Sequence, residues 1–76
     1  MPRRWLKVEF ERTTVQAIAD ALGDKFGFEG GNDCQQIAVL YTNKTQEQVS
    51  NEVWKLNGGA YCNITVIDED VADGYL

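Results

Sequence analysis

Between Leu6 and Phe10 the chain alternates apolar and charged side chains, Leu6-Lys7-Val8-Glu9-Phe10, with a further acid at Glu11. A period of two sends successive side chains to opposite faces of an extended chain, so this stretch predicts a half-buried strand. The period then lengthens. Val15, Ile18, Ala19, Leu22 and Phe26 fall at helical spacing, and Thr13 followed three residues later by Gln16 has capping-box spacing. Together they predict a first helix over 13–26, stopped by Gly23 or Gly27.

The next segment is rich in turn formers. Gly27-Phe28-Glu29 fits one very short strand, and Gly30-Gly31-Asn32-Asp33 supplies the positive-φ residues that a hairpin turn needs. Ile37–Tyr41 is continuously apolar, the pattern of a central strand covered on one face and partly shielded on the other. Thr45 with Gln48 repeats the capping-box spacing, Val49, Val53 and Leu56 form one stripe, and Asn57-Gly58-Gly59 ends the second helix. The stretch Tyr61–Ile67 predicts the last strand.

Strand, helix, short strand, strand, helix, strand is most economically an α+β, ferredoxin-like split βαβ arrangement, with two helices on one face of an antiparallel sheet. The alternative omits the short strand and leaves a three-stranded βαβαβ layer. Right-handed crossovers set the first and third main strands side by side, and in the ferredoxin-like arrangement the last strand pairs antiparallel with a central first strand. The start of the first strand then meets the end of the last, which predicts that Arg3 and Arg4 neutralise Asp68, Glu69 and Asp70. The same reasoning assigns Cys34 and Cys62 to opposite ends of the sheet and argues against a disulfide. The expected organisation is a single domain over 1–67 followed by an acidic tail over 68–76.

Charge sharpens the division between domain and tail. The 76 residues hold twelve acids and seven bases, for a net charge of -5. Four of those acids lie in residues 68–76, so the body is nearly neutral, with eight acids against seven bases. A pI near 4.4 argues against direct nucleic-acid binding, which calls for a basic face to displace counterions. The chain has no histidine and only two cysteines, without CxxC spacing, so zinc chemistry is not expected. No apolar run reaches membrane-spanning length, and the opening residues return to charge too soon for a signal-peptide core, so the expected location is the cytoplasm. The sequons at Asn43 and Asn63 carry no weight without an export signal.

Several kinds of site have a partial match. Asp68, Asp70 and Asp73-Gly74 resemble a fragment of an EF-hand loop, but Ala72 stands at the fifth position and the glutamate at the twelfth is missing. An open sheet face presenting Trp5, Lys7, Glu9, Tyr61, Asn63, Thr65 and Ile67 offers stacking rings for RNA, but Glu9 and Glu11 repel phosphate. Cys34 beside Asp33 has no histidine to form a thiolate, and the glycine pairs match no phosphate-binding loop. The first helix, starting near Thr13-Thr14, has the capacity of any helix N-terminus for an anion.

A docking surface is what the residues favour. Trp5, Ile67 and Leu40 are assigned to the open face near Asp68, Glu69, Asp70, Asp73 and Tyr75, while Trp54 flanks the stripe of the second helix. An aromatic rimmed by carboxylates suits a partner with a basic surface, since buried rings carry binding energy and charge steers encounter. The expected function is therefore a non-enzymatic interaction module without a cofactor or metal, acting as an inhibitor or nucleic-acid mimic of the kind that small acidic phage proteins provide. A different class of reading is an ACT-like ligand-sensing dimer. In either case the open face is expected to be covered, by a partner or by a second copy.

Overall fold

The computed structural model describes residues 2–76. It is an α+β fold built on one four-stranded antiparallel sheet. The strands are β1 (Arg4–Glu9), β2 (Phe28–Asn32), β3 (Ile37–Thr42) and β4 (Asn63–Ile67), in the order β2-β3-β1-β4. Helices α1 (Val15–Leu22) and α2 (Gln46–Leu56) join β1 to β2 and β3 to β4, and a third helix, α3 (Glu69–Asp73), follows β4. The short strand is therefore present and the three-stranded alternative is not formed. No helix among the described residues is long and apolar enough to cross a membrane.

Helix α1 begins at Val15, not at residue 13, with its cap one residue later than the capping-box spacing suggests. Thr14 is the N-cap and its Oγ1 accepts a hydrogen bond from the Ala17 backbone N–H. Ala at the third helical position cannot answer back, so no capping box forms, and Gln16 donates instead to Asp20. The α-helix stops at Gly23, and a 3-10 turn over Gly23–Phe26 runs on to Gly27. Gly27 has φ 66°, and a Cβ there would lie 1.9 Å from the Tyr41 carbonyl oxygen, so both its conformation and its space call for glycine. By contrast, α2 realises its capping box fully: Thr45 Oγ1 accepts from Gln48 N–H while Gln48 Oε1 accepts from Thr45 N–H.

The glycine pair expected to make the hairpin turn lies instead within β2, and among the described residues the non-glycine residue with positive φ is Gln36, at 58°. What Gly31 supplies is closeness: a Cβ there would meet the Ile37 carbonyl oxygen at 2.4 Å. The turn is held by side chains, with Gln35 N–H donating to Asn32 and Asp33 Oδ1 accepting from Val15 N–H at 2.8 Å. Asp33 thus occupies the N-terminus of α1, where the sequence left room for an external anion.

Each strand divides its side chains between two faces. On the helix face, Leu6, Val8, Phe10, Ala38 and Leu40 pack against Ile18, Leu22, Val49 and Val53, all buried. Leu40, expected on the open face, belongs to this core, because it is the register partner of inward-facing Leu6. On the second face Ile37 and Val39 are buried together with Ala72 of α3, and Trp5, Ile67 and Tyr75 pack around them. The face expected to be open is therefore covered by the chain's own C-terminal residues.

The cysteine placement also differs from expectation. Glu9 at the end of β1 pairs with Ile37 at the start of β3 and with Asn63 at the start of β4. Cys34 and Cys62 precede those two strand starts and so lie at the same end of the sheet. Strand β1 runs between the strands that follow them, and both thiols are free.

Candidate functional site

The C-terminal residues form a short helix because Asp68 is a good N-cap. Its backbone is extended, and its carboxylate accepts a hydrogen bond from Val71 N–H at 2.9 Å. Glu69 and Asp70 then occupy the first turn, where acids favour the helix dipole. Beyond the helix, Tyr75 N–H donates to the Ala72 carbonyl and Leu76 N–H to that of Asp73, so the turn continues to the chain end.

This segment crosses the sheet from one edge to the other. It leaves β4 at Ile67, sets Ala72 against Ile37 and Val39 of β3, and brings Leu76 over β2. The Leu76 Cδ2 atom lies 2.8 Å from the place a Cβ on Gly30 would take, so the leucine side chain rests on the bare backbone of that strand. Ala72 is small enough to bring the helix backbone near the strands, and Ile37 and Val39 are buried although α3 is only five residues long.

Apart from Leu40, the residues singled out as a docking surface beside the acidic segment are thus drawn together with divided tasks. Trp5, Ile67 and Tyr75 are half-buried and pack into the second cluster. Asp68 is exposed but engaged as a cap, while Glu69, Asp70 and Asp73 are exposed on the outside of α3. Val71 and Leu76 stand beside those acids with 44% and 55% of their surface exposed. The Trp5 ring is tilted by 35° against that of Tyr41, with centroids 4.8 Å apart, within the range of a favourable aromatic contact.

The expected pairing of Arg3 and Arg4 with the acidic segment does not form. Arg3 Nη1 donates to the Tyr41 carbonyl oxygen at 3.3 Å. Arg4 alternates onto the helix face with Leu6, on the side of the sheet away from α3. Among the described residues the ion pairs are Lys7–Glu9 at 3.6 Å and Lys55–Glu52 at 3.1 Å, so the carboxylates of α3 are left to solvent. Nor do three or more cysteine, aspartate or glutamate side chains gather among the described residues where they could hold a metal ion.

At the other end of the sheet lies a residue whose role was not read from the sequence. Asn57 is fully buried; its Oδ1 accepts from Glu11 N–H at 3.1 Å and from Arg12 N–H, and its Nδ2 donates to the carbonyls of Ala60 at 3.0 Å and Tyr61 at 2.6 Å. This one amide ties the β1–α1 loop to the α2–β4 loop with every polar group partnered. An asparagine before two glycines signals a helix end, but nothing local reveals that its side chain reaches residues 46 positions earlier. Nearby, Cys62 is half-buried against the main core, and that burial raises its pKa above the ordinary thiol value.

No protein-family model, curated protein or solved structure matches the chain.

Proposed function

We propose that the chain is a small acidic interaction module of ferredoxin-like split βαβ arrangement, non-enzymatic, that docks α3 onto a basic surface of another protein, where it acts as an inhibitor or competes with nucleic acid. The observation that carries this reading is that Glu69, Asp70 and Asp73 stand exposed, and form no ion pair within 4.0 Å among the described residues, on a helix packed against the sheet. A flexible acidic tail would lose conformational entropy on binding. Carboxylates on a packed helix have met most of that loss in folding, so attraction to a basic partner is offset less. Val71 and Leu76 add apolar contact among the acids, the mixture that a partner with lysines or arginines around a small hydrophobic patch would fit.

The test is a triple variant, Glu69→Gln, Asp70→Asn and Asp73→Asn, which keeps the Asp68 cap and removes only exposed charge. A binding partner captured by the parent chain should be bound at least tenfold more weakly by the variant, about 1.4 kcal/mol. Added salt should narrow the gap by screening what remains of the attraction. Equal affinity across a salt series would overturn the reading.

A further inference from the structure

We propose that strand β4 is a self-association edge, on which a second copy of this chain pairs antiparallel to join two sheets into one of eight strands. The two edges of the sheet are unlike. The outer strand β2 is interrupted by a register shift between Phe28 and Gly30, carries the exposed Glu29, and contains two glycines. Bulges and charges are the usual means by which a protein keeps an edge from pairing. At the opposite edge, β4 is Asn63-Ile64-Thr65-Val66-Ile67, five residues in unbroken register with β1, with four β-branched side chains, no charge and no proline.

The hydrogen-bonding phase of this edge is fixed. Phe10 N–H donates to Gln36 on the β3 side, so the even-numbered residues of β1 bond toward β3 and the odd-numbered ones toward β4. Asn63, Thr65 and Ile67, which lie opposite Glu9, Lys7 and Trp5, therefore bond inward, and Ile64 and Val66 turn their N–H and C=O groups outward. Gln46 confirms the phase independently, because its Nε2 reaches the outward Ile64 carbonyl at 2.8 Å.

Those groups match a second copy in one register above others. With a two-fold axis at Thr65, Ile64 of each chain faces Val66 of the other as a hydrogen-bonded pair, while the two Thr65 residues meet as a close, non-bonded β-branched pair. All five strand residues are then paired, whereas centring on Ile64 or Val66 pairs only three. Val66, with 48% of its surface exposed, gains Ile64 of the second copy as a neighbour on the helix face.

Charge selects the antiparallel direction. Asp68 lies three residues from the axis, so the two acidic segments are roughly 20 Å apart along the joined strands, about two Debye lengths at physiological salt. A parallel pairing would set them about 5 Å apart and add like charges to a chain already at -5. The two-fold also places both α3 helices on the same face of the joined sheet. The pairing itself stands without the docking function proposed for them.

Light scattering on the intact chain over a concentration series reads the outcome directly: the mass should rise from 8.5 kDa to twice that value. The variant Val66→Pro removes an outward N–H that β1 does not use and should remain monomeric with an unchanged circular dichroism spectrum. Gln46→Ala should tighten the dimer about fivefold, since Ile64 then has no internal donor to give up. In a Cys34→Ser background, mild oxidation should cross-link Thr65→Cys across the axis far faster than Asn63→Cys, whose copies lie about four residue spacings apart along the strands. A monomer at every concentration into the millimolar range, a folded Val66→Pro chain that still dimerises, or equal cross-linking at positions 63 and 65 would overturn the proposal. If Val66→Pro fails to fold, the cross-linking comparison decides.

Discussion

The two faces of the sheet bury similar strand residues by different means. On one, two helices of eight and eleven residues lay Ile18, Leu22, Val49 and Val53 over Leu6, Val8 and Leu40. On the other, a five-residue helix contributes one fully buried side chain, Ala72, and still leaves Val39 with no exposed surface. A helix of that length is not stable alone, so α3 exists because the sheet holds it, while Ile37 and Val39 stay dry because α3 is there. The helix face is thus a core, and the second face is closed by a strap whose other side carries the exposed acids.

The largest expected effect falls on the helix face. Leu40→Ala should cost about 2–5 kcal/mol. At roughly 0.05–0.15 kcal/mol per residue, this short chain has little more than that to lose. A urea midpoint read by circular dichroism measures it, and a loss below about 1 kcal/mol would mean that the helix face is loosely packed.

Next comes removal of residues 68–76, which should cost roughly 2–3 kcal/mol. That is the order expected for re-exposing apolar side chains of the size of Val39 and Ile37, at about 1.5–3 kcal/mol for full burial of each. The emission of Trp5 should shift to the red as its cover is removed. An unchanged midpoint would make the acidic segment an appendage and dissolve the contrast between the faces.

A smaller effect, about 1 kcal/mol, is expected for Asp68→Ala, which deletes the cap of α3, while Asp68→Asn should keep most of the stability because asparagine also caps. If both variants unfold at the same midpoint, the strap is held by packing alone.

The least effect concerns Cys62 on the helix side. Burial disfavours its thiolate, so the folded pKa lies above the unfolded one. The stability this supplies is fully present below the unfolded value and is lost as pH rises through the folded value. The urea midpoint of the parent chain should fall more steeply above the ordinary thiol pKa of 9.0 than that of Cys62→Ala. Parallel slopes would show that the thiol is in contact with water.

Much of the helix face was legible in the chain. The period-two stretch at Leu6–Phe10 and the stripe Val49-Val53 repeat at the spacing of their elements, and the α2 capping box is a local device formed by residues three apart. The strap was not legible for equally physical reasons. Ala72 is apolar but small, the acids around it mark solvent, and five residues are too few for a period. Reading Gly30-Gly31 as a turn failed because a glycine serves either backbone freedom or close approach, and at Gly31 the Ile37 carbonyl requires closeness.

By itself the sequence determined the alternation of elements, the stripes that α1 and α2 bury, the antiparallel pairing of the first and last strands, and the concentration of negative charge at the end of the chain. Period, local hydrogen bonding and composition, which near neighbours settle, decide all of these except the strand pairing, which follows from the order of the elements and the handedness of their crossovers. Only the tertiary structure decided that Asp33 caps a helix eighteen residues before it, that Asn57 joins two loops, and that the acidic residues close a sheet face instead of trailing from it. Each of those depends on which distant backbone groups arrive at one place, and residues separated along the chain carry no local sign of that meeting.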